Sequence, residues 1–298
     1  MRIATHQMQQ AATAALLDRQ ARLARTQLQL STGKRILSPA DDPAGAVQAL
    51  DLAGAIARVE QHQRNIDRAR ARLRLEESTL ADATRLLQRA RELVVRGSNA
   101  ALSGQDRQAI ATELYQILDG LLADANTRDA QGEYLFAGYR SLQEPFRLNG
   151  NNTYSYLGDA GAREVQVGPA RRIRVGDSGR AVFVEVPGLG TDLFTALRVT
   201  ADTLQLGQPP AAAALDQLDR MLDHLSTVRA SVGGRLNGLD AQERSNADAL
   251  LRYREVLSKT EDLDFAQAVS DFQLRLAALQ AAQASFARIQ GLSLFRYL

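Results

Sequence analysis

Three histidines, His6, His62 and His224, are the chain's whole stock of imidazole. No two stand at the spacing of a helical metal site, and no HExxH motif occurs. With no cysteine, disulfides, thiolate ligation and a thiol nucleophile also drop out. The stretch STGKRILSPADDPAG, Ser31 to Gly45, sets Gly33-Lys34 beside Thr32 in the manner of a phosphate loop. Such a loop needs an upstream glycine, a hydroxyl right after the lysine and a strand in front. Here Gln29 lies upstream, Arg35 follows Lys34, and the preceding residues have helical spacing. The stretch reads as a joint between two helices. Carboxylates pair at Asp41-Asp42 and in DLDF, yet each position also suits a helix cap or a turn. No Ser/His/Asp order sits in a strand–turn–helix context. No catalytic residue, cofactor or metal ligand is expected.

Arg58, Arg64, Arg68, Arg70, Arg72 and Arg74 crowd six guanidinium groups into one stretch. A bare stripe of that kind grips phosphates. Glu60, Asp67, Glu76 and Glu77 are interleaved with it, so it reads as a solvated face or a contact with acidic surface on a neighbouring subunit. SVGGRLNG, residues 231–238, resembles a phosphate nest but lies inside a helical pattern, and predicts close helix–helix approach. Neither nucleic acid nor a membrane is an expected partner.

The elements that carry these residues are mostly helical. The chain has 298 residues, 45% of them apolar, but only 5% aromatic and no Trp, so Ala and Leu supply most of the apolar surface. That composition favours slender helix packing. Net charge is +2, nearly all basic residues are Arg, and lysine occurs only at Lys34 and Lys259. No run of 18 apolar residues spans a membrane. The opening residues make a poor secretory signal, so a secreted protein of this sequence would travel without a cleaved one.

From Thr5 to Leu30, Ala14, Leu17, Ala21, Ala24 and Leu28 form a helical stripe, flanked by the row Leu16, Leu23 and Leu30. Gly33 offers a left-handed cap, and Asp42-Pro43 a strong helix start. Leu52, Val59, Ile66, Leu73, Leu80, Leu87 and Val94 then recur at every seventh position. The companion row Ala55, Ala69, Ala83 and Ala90 is small, interrupted by His62 and Glu76. Such a repeat specifies a rod packed in coiled-coil fashion. RGSNAALSG breaks it before a further helix to Asp129. YSY, EVQV, RIRV and VFVEV, punctuated by glycine turns, predict a small antiparallel β insert. Asp192 opens a short helix, a long helix follows, and SKTEDLD marks a second joint. Phe265, Val269, Phe272, Leu276, Leu279 and Phe286 place one apolar seam on the last helix.

The predicted fold is mainly α with a small β insert: an elongated rod of long helices built from both halves of the chain. Residues 1–42 and 259–298 form terminal helices, 43–133 and 191–258 a discontinuous helical rod, and 134–190 the β domain.

LSTGKRILSPADDPAG resembles the joint of flagellin-family proteins. LLQRARELVVRGSNAALSGQDRQAIATEL resembles the helix–turn–helix that follows it there, and residues 215–298 are similar to the flagellin carboxyl end nearly throughout. The opening MRIATHQM and the SPADDP variant look more like the members joining hook to filament than like filament flagellins. The resemblance covers about 1–130 and 205–298, and the β insert carries none of it. It implies a structural protein of the bacterial flagellum, exported unfolded by the flagellar type III system and held beforehand by an export chaperone. It implies a ring of about 11 copies between hook and filament, with a hook-side junction protein and flagellin as neighbours. The terminal segments would be disordered in the monomer and pair on assembly. The short insert and the closing SLFRYL weigh against flagellin itself. A cytosolic coiled-coil scaffold and an unrecognised hydrolase are the other classes. The expected assembly interface is Leu16, Leu17, Leu23, Leu28 and Leu30 with Phe265, Val269, Phe272, Leu276, Leu279 and Phe286, and the expected hinge is Gly33, Asp42 and Pro43.

Overall fold

The computed structural model describes the backbone of residues 2–294 and the side-chain surroundings of residues 6–288, so the closing SLFRYL falls almost wholly outside the described residues. Helices α1 (Arg2–Thr32), α2 (Pro43–Gly97) and α3 (Gly104–Ala125) come first. Strands β1 (Phe146–Leu148), β2 (Tyr154–Tyr156), β3 (Glu164–Gln166) and β4 (Arg172–Arg174) follow, then a π-helical turn at Arg180–Val184. The chain ends in α4 (Leu193–Gln205), α5 (Ala214–Glu261) and α6 (Phe265–Leu294). It is a mainly helical fold built from both halves of the chain, with the β segment between them. It divides into two compact units, Met1–Arg58 with Ala249–Leu298, and Val59–Asp248; the cuts fall inside α2 and α5.

In the Val59–Asp248 unit the seven-residue row does what its period requires: Ile66, Leu73, Leu80, Leu87 and Val94 are buried, beside Ala69, Ala83 and Ala90. Helices α2 and α5 run antiparallel and are laced by ion pairs, Arg70 with Asp240 at 2.9 Å, Arg229 with Glu77 at 2.8 Å and Arg91 with Asp219 at 2.5 Å. At Gly97 α2 stops against α4, where an added Cβ would lie 2.8 Å from Leu204 Cδ2. Ser103 and Asp106 then close a reciprocal capping box that starts α3.

The β segment is two separate two-stranded antiparallel sheets, β1–β2 with Phe146 opposite Tyr156 and β3–β4 with Glu164 opposite Arg174. The aromatic content is concentrated here: the Phe146 ring centroid lies 5.0–5.6 Å from those of Tyr156, Phe183 and Phe194. VFVEV, expected as a strand, is mostly the π-helical turn. Val182, Phe183 and Val186 are all buried, whereas a strand would send neighbours Val182 and Phe183 to opposite faces. The Gly233-Gly234 pair also departs from expectation, because nothing lies within 4 Å of a Cβ added at either. At Gly238 an added Cβ would lie 2.8 Å from Arg171 Nη2, which belongs to the β3–β4 hairpin and not to a helix.

Candidate assembly surface

In the other unit α1 and α6 pack against each other. Their pairing has a polar fastening toward the joints: Arg275 Nη1 donates to Thr26 Oγ1 at 2.8 Å, and buried Thr26 donates to the Arg22 carbonyl at 3.0 Å. That bond fixes which way the helices face. On α1 the half-buried Leu16, Leu23 and Leu30 share the Thr26 side, while Leu17 (61% exposed) and Leu28 (52%) point away with Ala14, Ala21 and Ala24. On α6 Ala268, Phe272, Arg275, Leu279, Ala282 and Phe286 form the covered face. Val269 and Leu276 lie beside it, exposed. The interface residues named from sequence thus divide between a paired face and two uncovered apolar rows. Thr26 and Arg275 went unnoticed, although a hydroxyl and a guanidinium at seam positions are the usual mark of a fixed register.

The two joints are fastened to each other. Arg35 N–H donates to the Glu261 carbonyl at 2.7 Å and Leu263 N–H to the Gly33 carbonyl at 2.9 Å, with an isolated antiparallel bridge between Lys34 and Asp262. Arg35 Nη2 reaches the Thr260 carbonyl at 2.8 Å and Asp42 at 3.1 Å. Gly33 caps α1 with φ +70°, where a side chain would be strained, and an added Cβ would lie 3.5 Å from Phe265 Cζ. Asp42 Oδ1 accepts from Gly45 N–H at 2.9 Å, and that bond, then Arg35, holds its carboxyl below the ordinary carboxylate range. Pro43 is the first residue of α2. Lys34 Nζ is ion-paired with Glu261 at 2.9 Å, across the two joints.

The arginine run divides in the same way. Arg70 is held by Asp240 and Glu243, and Arg72 by Asp129 at 2.6 Å. Arg64 donates to Gln61, and Arg68 and Arg74 are exposed. His224 Nε2 contacts the Ala181 carbonyl at 2.8 Å, and no cluster of three metal-ligating side chains occurs among the described residues.

An α1–α6 pair fastened at matching joints, with α1 and α6 each leaving an apolar row uncovered, suits a subunit completed by its neighbours. Residues 3–141 match the model of the bacterial flagellin N-terminal helical region. Over 317 residues the chain is 33% identical to flagellar hook-associated protein 3 of Escherichia coli, with 99% of both chains covered. The chain belongs to the flagellar hook-associated protein 3 family. The flagellin of Bacillus subtilis is more distant, 26% identical over 87% of this chain and 86% of its own. The crystal structure of the flagellar junction protein FlgL from Legionella pneumophila shares the fold, with a TM-score of 0.63 at 22% identity, over 74% of this chain and 100% of that one. Members of the hook-associated protein 3 family are structural components of the flagellum, and this chain is one of them.

Proposed function

We propose that this protein is the structural adaptor between flagellar hook and filament. It closes into a ring of about 11 copies, with a hook-side junction protein on one side and flagellin on the other. The observation that carries the reading is the full-length match to hook-associated protein 3, the β segment included, where flagellin aligns over a smaller share at lower identity. In this reading the protein is not an enzyme, takes no cofactor and works outside the cell, after type III export from a chaperone-bound state.

The assembly surface is the outward row of α1 with Val269 and Leu276 of α6, supported by the exposure of Leu17, Leu28, Val269 and Leu276 in an otherwise charged and small-residue setting. The paired face, with Phe272, Leu279 and Phe286, holds the two helices together once neighbours enclose them. In the free monomer the described parts of 1–42 and 259–298 are unordered, and the chain bends at Gly33, Asp42 and Pro43. Thin, Ala-rich helices bury too little apolar surface to offset the entropy of ordering them alone. The helical rod is then 43–133 with 191–258, and 134–190 is its β domain. Deleting the gene tests the whole reading. Cells should keep hooks, lose attached filaments and release flagellin into the medium; cells with filaments still attached would overturn it.

A further inference from the structure

The seven-residue companion row of α2 is alanine at positions 69, 83 and 90, but at 76 it holds a glutamate. Glu76 is only 1% exposed and lies between the fully buried Leu73 and Leu80 turns of the helix. Its Oε1 accepts from Asp177 N–H at 3.0 Å, while Oε2 is enclosed with no donor. Asp177, in the turn after β4, accepts from Arg235 Nη2 of α5 and from Arg174 Nη1 at 3.4 Å. Arg235 Nη1 is also buried without a partner. Two carboxylates therefore meet one buried guanidinium, and the second cation, Arg174, is half exposed.

We propose that Glu76, Asp177 and Arg235 form a proton-dependent latch that fastens the turn after β4 to α2 and α5, closed while Glu76 is neutral and released when it gives its proton to water. The proposal is independent of the assembly reading and concerns the β segment's hold on the helices. An ionised Glu76 needs donors at both oxygens, and only one has any. It would also face the Asp177 charge, with Arg235 Nη2 given to Asp177 and Arg235 Nη1 bonded to neither carboxylate, a costly arrangement away from water. Neutral, it keeps the Asp177 N–H bond and leaves Arg235 to Asp177 alone. Burial first, then Asp177, pushes the Glu76 carboxyl up to about 8, against the pull of Arg235.

Arg163, which lines a small cavity with Arg72 and Asp177, is bound to Glu133 at 2.6 Å and to Ser141 at 2.7 Å. Arg72 of α2, whose Nε lies 3.6 Å from a Cβ placed on Gly176, is bound to Asp129. Glu77 is paired with Arg229 of α5. His224 of α5 contacts the Ala181 carbonyl, further along the same segment, and serves as the control.

The folded form holds the Glu76 proton more tightly than the unfolded form, so the stability it brings is complete below the unfolded value of 4.5. It is lost as pH rises through about 8. Thermal melts of the full chain and of Glu76→Gln, from pH 5 to 9.5, read this directly. The unfolding equilibrium constants should diverge by up to about tenfold per pH unit within that window and run parallel above it. His224→Gln should keep the wild-type profile. The wild type should show an infrared carboxylic-acid band at pH 7 that fades by pH 9 and is missing in Glu76→Gln. Trypsin cleavage after Arg174 or Arg180 should accelerate across the same range in the wild type alone. Should Glu76→Gln fail to fold, Asp177→Asn removes the neighbouring charge, and the band should fade at lower pH. Parallel profiles for wild type and Glu76→Gln, or a band whose pH dependence Asp177→Asn leaves unmoved, would overturn the latch.

Discussion

Asp124, in the last turn of α3, has a carboxylate oxygen enclosed without a donor. It also sits at the negative end of the helix. Burial pushes its carboxyl up to about 6, with Arg85 pulling the other way. Because the folded value exceeds the unfolded 3.8, its neutral form favours folding below pH 3.8 and that advantage is gone above about 6. Asp124→Asn should therefore raise stability at pH 7 by about 1–2 kcal/mol, discounted for its partial exposure. At pH 4 it should change little; equal gains at both pH values in denaturant melts would exclude this cause. Gly33 carries the opposite kind of constraint. Its left-handed backbone makes Gly33→Ala cost about 1 kcal/mol once the joint is ordered on assembly, although the space beneath Phe265 would admit the methyl group.

At the scale of elements, the α2 repeat is the structural axis of the Val59–Asp248 unit. Leu80→Ala, at a site with no solvent exposure, should lower that unit's stability by about 2–5 kcal/mol, read from urea unfolding. The joints are held to each other by backbone bonds between 33–35 and 261–263. Isothermal titration of ATP should accordingly give no heat of binding, and micromolar affinity abolished by Lys34→Ala would reverse that assignment. The local signals for these elements were strong in the sequence. The seven-residue row, the cap at Asp42, the left-handed Gly33 and the N-cap at Asp192, which accepts from Thr195 N–H at 2.8 Å, each stand where local chemistry put them.

For the whole molecule, the two faces of the terminal helices separate two failures. Leu17→Asp or Leu276→Asp puts a charge on an uncovered row, so filament attachment should be lost while the monomer's melt stays unchanged. Phe272→Asp strikes the α1–α6 pair itself and should also abolish attachment, because an unpaired carboxylate enters the face around Leu279. Motility and electron microscopy of complemented cells, beside melts of each purified variant, check both. Filaments attached normally in Leu17→Asp cells would remove the outward row from the assembly surface.

The amino-acid sequence by itself determined the helices and the place of the β segment, because periodicity, caps and glycine turns act over a few residues, though α3 ends at Ala125, four residues before the expected Asp129. It also carried the family resemblance. Only the tertiary structure decided which of two adjacent apolar stripes on α1 faces α6: Leu17 and Leu23 are equally apolar, and the choice was made by Thr26 meeting Arg275 across the chain. Tertiary packing likewise turned VFVEV into a π-helical turn, left Gly233 and Gly234 open, and tied the joint at 33–35 to the one at 261–263. It made Glu76 a buried acid opposite Asp177, 101 residues later in the chain. Burial and partnership are long-range quantities, set by what the rest of the chain brings alongside, and no local pattern contains them.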